Sequence, residues 1–246
     1  MHIQHTDKIV LVTGSATGIG RATAKAFADA GAKVFINHFN QHDLANEILS
    51  HTNILESFSV DVRNKAGVEH MINAINSQHG SIDILINNAG ISDPKPFLDI
   101  TEADWDSTLD TNLKGTVFCS QAVIPGMLDK GEGVIINIVS ELGYLGRELY
   151  TAYTASKGAL ITLTRSLAKE FAPKIRVNGI APGPVLTDLL RNELKTDDDF
   201  AREMNIPLKR FAEPEEIASS AVFLASDQAR FYCGDIISPN GGALMR

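Results

Sequence analysis

The sequence has little cysteine, no excess of positive charge and no long apolar run, and each shortage removes a class of function. Cys119 and Cys233 are the 2 cysteines in 246 residues. They lie far apart without a CxxC spacing, so they form neither a disulfide framework nor a zinc pattern, and buried free thiols are expected. The 7 histidines are scattered without an HExxH pair, so no metal site is expected. Lysine and arginine total 22 against 30 aspartates and glutamates, a formal net charge of -8. Nucleic acid and anionic membranes call for a basic surface, so neither is expected as a partner. No apolar stretch is long enough to span a bilayer, and the N-terminus, MHIQHTDKIV, lacks the charged-then-apolar pattern of a leader. A cytoplasmic protein is the expectation.

What is present is a steady alternation. Short β-branched runs (KIVLVTG, KVFIN, ILESFSV, IDILINNAG, VIINIVS, IRVNGIAPG and a last one around DIIS) are separated by helical patterns, among them a long one from Glu102 to Leu128. This is the rhythm of a parallel sheet with crossover helices. ILIN and VIINIV are nearly all apolar, as strands covered on both faces must be. No Pro/Ser/Gly-rich linker or internal repeat interrupts the pattern. The expectation is one doubly wound Rossmann-type α/β domain over residues 1–246, with a sheet of about seven parallel strands, helices on both faces, and ligands beyond the carboxyl ends of the strands.

The first strand runs into TGSATGIG, Thr13 to Gly20, and then directly into a helix. Gly14, Gly18 and Gly20 let the backbone turn sharply and approach a pyrophosphate at the helix N-terminus. The spacing is G-x-x-x-G-x-G, different from the G-x-G-x-x-G of the ordinary dinucleotide fingerprint. Together with NNAG (Asn87 to Gly90), Ser140, YTASK (Tyr153 to Lys157) and the turn Pro182-Gly183, it resembles the short-chain dehydrogenase/reductase family from Lys8 to about Gly242. The motifs are independent and in the family's order, which makes the combination specific.

Tyr153 and Lys157 are spaced i, i+4, so they share one helix face. A tyrosine titrating near 10 is a poor proton carrier at neutrality unless a cation favours its phenolate, and Lys157 is placed to supply one. An isolated YxxxK would be a half-buried aromatic beside a surface lysine. The resemblance implies more: Tyr153 exchanges the proton with the substrate oxygen and Ser140 orients that oxygen. Lys157 biases Tyr153 and holds the nicotinamide ribose, while Asn112 holds a water linking Lys157 to solvent.

For the cofactor, NADP or NAD, the resemblance implies the loop residues Gly14, Ser15, Thr17, Gly18, Ile19 and Gly20, and the strand-two end Asn37, His38 and Phe39. Asp61 and Val62 would face the adenine, although Asp61 also suits a helix start. Asn88, Ala89 and Gly90 would sit beside the adenosine ribose, with Asn87 and Asn88 bracing the sheet. Tyr153, Lys157, Pro182, Gly183, Val185 and Thr187 complete the set. The strand-two end carries no carboxylate to repel a 2′-phosphate, and His38 and Asn40 could meet one in part, so NADP or dual use is expected.

The substrate pocket is expected to draw on Ser92, Ser140, Leu142, Tyr144, Leu149, Leu186 and Leu190, with Leu145 on the same wall. Glu141, Arg147 and Glu148 could bind hydroxyls or face water. Residues 186–207 read as a lid. Glucose and polyol dehydrogenases and 3-oxoacyl-carrier-protein reductases of the family are both similar. Asp197, Asp198 and Asp199 in the lid weigh against an acidic carrier protein. The expected function is reversible hydride transfer between NAD(P) and a secondary alcohol or ketone, sugars and polyols included. A carrier-protein reductase and a catalytically inactive nucleotide-sensing regulator are the alternatives. Gly115, Ala155, Gly158 and Ala159 would permit the close helix pairing by which family members assemble, so a homotetramer is expected, although burial within one subunit would explain the same residues.

Overall fold

The computed structural model describes residues 3–245. In chain order the first half holds β1 (Ile9–Val12), α1 (Gly18–Asp29), β2 (Lys33–His38), α2 (His42–Leu49), β3 (Ile54–Ser59), α3 (Lys65–His79), β4 (Ile84–Asn87) and α4 (Glu102–Leu109). The second half holds α5 (Gly115–Lys130), β5 (Gly133–Ile138), α6 (Leu142–Leu145), α7 (Thr151–Phe171), β6 (Ile175–Ile180), α8 (Asp188–Glu193), α9 (Asp197–Glu203), α10 (Pro214–Ala225) and β7 (Ile236–Ile237).

The strands form one 7-stranded sheet in the order β3-β2-β1-β4-β5-β6-β7, with every pairing parallel. The apolar strand runs follow from burial on both faces. Val10 and Val12 of β1 join Phe27 of α1 and Leu224 of α10 in one cluster. Leu11 between them joins Met71 of α3 and Met127 of α5 in another. Truncating a fully buried residue such as Leu11 to alanine would cost about 2–5 kcal/mol. Strand order reverses between β1 and β4, whose registers pair Val12 with Ile86. A crevice opens at that switch point beyond the strand ends, where an open α/β sheet takes its ligands.

Three local features differ from the sequence expectation. The long helix from Glu102 is interrupted by a π turn, Asp110–Lys114, between α4 and α5. This turn faces Asn112 inward, and the residue is fully buried. The lid segment forms two short helices, because Thr196 starts a new one by a reciprocal capping box with Asp199. Cys119 is buried as expected, but Cys233 is exposed in the loop before β7. Among the described residues no helix is long and apolar enough to cross a membrane.

Candidate active site

The glycine loop and NNAG lock together across the switch point. Gly14 has φ +60°, and a Cβ there would lie 2.7 Å from the Ala89 Cα. A Cβ on Gly20 would lie 2.3 Å from the Gly14 carbonyl oxygen and 2.5 Å from Asn88 Nδ2. Asn88 Nδ2 donates to the carbonyls of Thr13 at 3.0 Å and Gly14 at 2.8 Å. Thr13 Oγ1 in turn accepts from the backbone N–H groups of Asn88 and Ala89. The Thr17 side chain makes no cap bond and no acidic residue occupies the first turn of α1. The first N–H groups of a 12-residue helix are therefore left to an anion, and the loop fits the pyrophosphate of a dinucleotide.

Two residues expected at the cofactor use their side chains elsewhere. Ser15 Oγ donates to the Val12 carbonyl at 2.7 Å and accepts from Asn37 N. Asn37 Nδ2 donates to the Val60 carbonyl at 2.8 Å, so the pair ties β1 and β2 to the end of β3. His38 also turns inward. It is 2% exposed, its Nδ1 accepts from Gln41 N at 3.2 Å, and burial lowers its pKa. A neutral, buried imidazole does not suit a phosphate.

Phe39 remains exposed at the end of β2, with the Arg63 guanidinium 5.9 Å from its ring centroid. Arg63 grips Asp61 through Nε and Nη2 at 2.9 and 2.7 Å, and this pairing holds the Asp61 carboxyl below its usual range. Asp61 therefore ends β3's loop as an arginine partner, and Arg63 is a cation the sequence reading did not place. Val62 packs under Gly115, where a Cβ would lie 2.7 Å from Val62 Cγ2. That contact, like the approach of Gly158 to the Gly143 carbonyl, lies within one subunit.

Ser140 follows β5, and Tyr153 and Lys157 lie one turn apart on α7. Ser140 Oγ accepts from Leu142 N at 3.1 Å, and its side chain bonds Tyr153. Lys157 Nζ donates to the Ile138 carbonyl at 2.8 Å and stands 5.7 Å from the Tyr153 ring centroid. The i, i+4 pair thus faces one cleft, with the amine anchored over the ring face by the strand carbonyl. Burial pushes Tyr153 up to about 12, against the lowering effect of Ser140. Burial also pushes Lys157 down to about 8.

Asn112 reaches the same place from the π turn. Its Oδ1 accepts from Ile91 N at 2.8 Å, and its Nδ2 donates to Ile91 O and to Ser156 Oγ, each at 3.0 Å. A Cβ on Gly90 would lie 3.2 Å from Asn112 Oδ1 and 3.6 Å from Lys157 Nζ. The 4 sequence-predicted catalytic residues therefore converge around Gly90 and the end of β5.

The open cleft above them is lined by Ile19, Asn88, Gly90, Pro182, Gly183, Val185 and Thr187. Ser92, Leu142 and Leu190 line its substrate end. Three expected wall residues lie elsewhere. Tyr144 packs against Val139 and Leu160, because α6 is short and turns its ring back to α7. Leu149 is exposed with φ +67°, and Leu186 borders a separate groove with Thr17 and Gly18. Leu145 and Glu148 are exposed as well.

Glu141 and Arg147 do line the cleft, joined by Tyr150, Glu193 and Glu203, which the sequence reading did not single out. Arg147 Nη1 pairs with Glu203 Oε1, and the Tyr150 hydroxyl donates to Glu193 Oε2 at 2.9 Å. Burial pushes Glu141 up to about 7 and raises Glu193, which the Ser92 and Tyr150 hydroxyls pull back. The lid helices α8 and α9 thus end in carboxylates that turn into the cleft.

Comparison with known proteins places the chain among reductases and dehydrogenases. A family model described as Enoyl-(Acyl carrier protein) reductase matches residues 14–243. The chain is 40% identical to the 3-oxoacyl-[acyl-carrier-protein] reductase FabG of Staphylococcus epidermidis, over 97% of this chain and 100% of that protein. It is 38% identical to the D-threitol dehydrogenase of Mycolicibacterium smegmatis, over 97% of this chain and 94% of that one. The structure of an aldohexose dehydrogenase from Thermoplasma acidophilum superposes with a TM-score of 0.87 at 32% identity, covering 96% of this chain and 94% of its own.

Proposed function

The chain belongs to the short-chain dehydrogenase/reductase family, whose relatives are reductases and dehydrogenases acting on C=O and CH–OH groups, and from that premise we propose that it moves a hydride reversibly between a nicotinamide and a secondary alcohol or ketone by means of Ser140, Tyr153, Lys157 and Asn112. The observation that carries the reading is the meeting of those side chains at the switch point, beside a glycine loop fitted to a pyrophosphate. The nicotinamide dinucleotide, when bound, supplies or accepts the hydride.

The remaining steps belong to the protein. Ser140 Oγ directs the substrate oxygen towards Tyr153, and Tyr153 Oη gives that oxygen a proton in reduction or takes it in oxidation. Burial holds the phenol too weakly acidic for this work alone. Lys157, fixed by the Ile138 carbonyl, favours the phenolate through space and is placed to meet the nicotinamide ribose. Asn112 holds the Ile91 backbone and so sets the cleft floor under Lys157. The helices α8 and α9 act as the lid over the substrate.

For the cofactor, NADP with NAD also accepted is the reading supported by the lack of a carboxylate at the end of β2 and by Arg63 beside Phe39. Asp61 and Val62 border the adenine end. Assembly as a homotetramer is tested by solution molar mass.

The proposal is tested with Tyr153→Phe, which removes one oxygen. Cofactor binding should persist while turnover falls about 10²–10⁴-fold. Retained turnover would overturn the assignment. Relatives differ on the substrate, one named for a carrier-protein thioester and others for a tetritol or an aldohexose.

A further inference from the structure

The substrate end of the cleft is acidic in an uncompensated way. Glu141, Glu193 and Glu203 line it, and Arg147 is the guanidinium among them, already paired with Glu203. Glu193 Oε2 takes the Tyr150 hydroxyl, while Glu193 Oε1 is buried with the Ser92 hydroxyl beside the carboxylate but short of a well-formed hydrogen bond. Glu141 is 4% exposed, and its Oε2 is buried without a partner. A buried carboxylate oxygen lacking a well-formed hydrogen bond is costly, and a site that tolerates two such oxygens is completed by a ligand that brings donors.

We propose that Glu141 and Glu193 accept hydrogen bonds from hydroxyl groups flanking the reacting carbon, so that the substrate is a neutral polyhydroxylated compound, a polyol or an aldose. This rests on the cleft being the hydride-transfer site. The competing substrate chemistry fits the same atoms poorly. A 3-oxoacyl thioester presents carbonyl acceptors and an apolar chain, leaving both carboxylate oxygens undonated. A keto acid would bring an anion into a site where three carboxyl groups face one guanidinium, already paired with Glu203, and the Lys157 amine. Polyol hydroxyls donate to the carboxylates and can accept from Ser92 or Arg147, which border the same space. Burial that favours the neutral form of Glu141 suits a hydroxyl partner better than an ammonium group. The placement is built into the fold. Gly143 packs so tightly on α7 that a Cβ would lie 2.8 Å from the Lys157 carbonyl carbon, which holds Glu141 beside the proton-transfer residues.

The test measures kcat/KM with both nicotinamide cofactors for erythritol, xylitol and D-glucose, for cyclohexanol and isopropanol, and for acetoacetyl-pantetheine in the reverse direction. Polyols or aldoses should be preferred over the simple alcohols by about 10-fold or more, because a site built to bond hydroxyls rejects analogues lacking them. Glu141→Gln and, separately, Glu193→Gln should lower that preference about 10-fold or more, mainly through KM, with cofactor binding by calorimetry confirming an intact fold. Equal efficiency for polyols and simple alcohols, a preference for the thioester, or unchanged selectivity in both folded variants would overturn the carboxylate assignment while leaving hydride transfer standing. No turnover of any alcohol or carbonyl would overturn the hydride-transfer reading and this one with it.

Discussion

Asn112 holds the backbone of Ile91 with both ends of its amide, Oδ1 accepting from the N–H at 2.8 Å and Nδ2 donating to the carbonyl at 3.0 Å. The side chain completes a ladder rung for a loop that has just left β4, and the π turn aims it there. Replacing Asn112 with Asp keeps the acceptor and sets a carboxylate oxygen against the Ile91 carbonyl in a fully buried place. The expected result is a loss of about 2–4 kcal/mol of stability and a fall in kcat/KM larger than for Ser156→Ala, which deletes the third Asn112 contact and the hydroxyl's bond to the Tyr153 carbonyl. Denaturant melts and steady-state kinetics of the two variants check it.

The NADP reading joins the missing carboxylate at the end of β2 to one nearby cation. Arg63 stands over Phe39 and is shared with Asp61, so its charge lies beside the strand-two end where a 2′-phosphate would fall. Arg63→Ala should raise the KM for NADP about 10-fold while changing that for NAD much less. A strong wild-type preference for NAD would overturn the NADP reading.

Lys157 sets a pH limb. Burial pushes it down to about 8, so its proton is lost as pH rises through that value, and Tyr153 then loses the cation that favours its phenolate. The kcat/KM for ketone reduction, which reports the free enzyme, should fall above about pH 8. Lys157→Arg keeps the cation at every accessible pH and should remove that limb even where it lowers the plateau. A profile flat to pH 10 in the wild type would contradict the assignment.

Much of this site can be read in the chain because its motifs are local. TGSATGIG shows its glycines because two of them fill space that a Cβ would share with Ala89 or with Asn88. YTASK shows its pair because one helical turn fixes their common face. The strands show themselves through burial on both sides. Residues that reach the cleft by tertiary placement carry no such signature. Glu193 and Glu203 end two short polar helices and look like solvated acids until α8 and α9 fold over the cleft. Tyr144 and Leu149 stand in a segment whose direction is decided by the short α6 and the left-handed Leu149, so apolar character alone misplaces them. His38 occupies the expected strand end, but the Gln41 N–H takes its ring inward.

The glycine loop offers a steric test independent of chemistry. Gly20→Ala would push a methyl group to 2.3 Å from the Gly14 carbonyl and 2.5 Å from Asn88 Nδ2, both fixed by the bonds that join β1 to β4. Backbone must move, so both stability and cofactor affinity should fall. Gly131→Ala meets nothing within 4 Å but has φ +80°, and should cost about 1–2 kcal/mol with cofactor affinity kept. Paired melts and cofactor titrations separate the two.

Glu141 ties stability to pH. Its carboxyl is raised to about 7 from an ordinary 4.5, so the folded state holds a proton that the unfolded chain releases. Its contribution to stability is fully present below about pH 4.5 and is lost as pH rises through 7, since the buried group must then ionise. Glu141→Gln cannot ionise and escapes that loss. Relative to wild type, its melting temperature should gain steadily from pH 4.5 to pH 8 and level off beyond, because above the folded pKa both states of the wild-type chain are ionised. A difference in melting temperature that does not change with pH would show that Glu141 is already ionised in the folded protein, and with it that the cleft is wetter than its packing indicates.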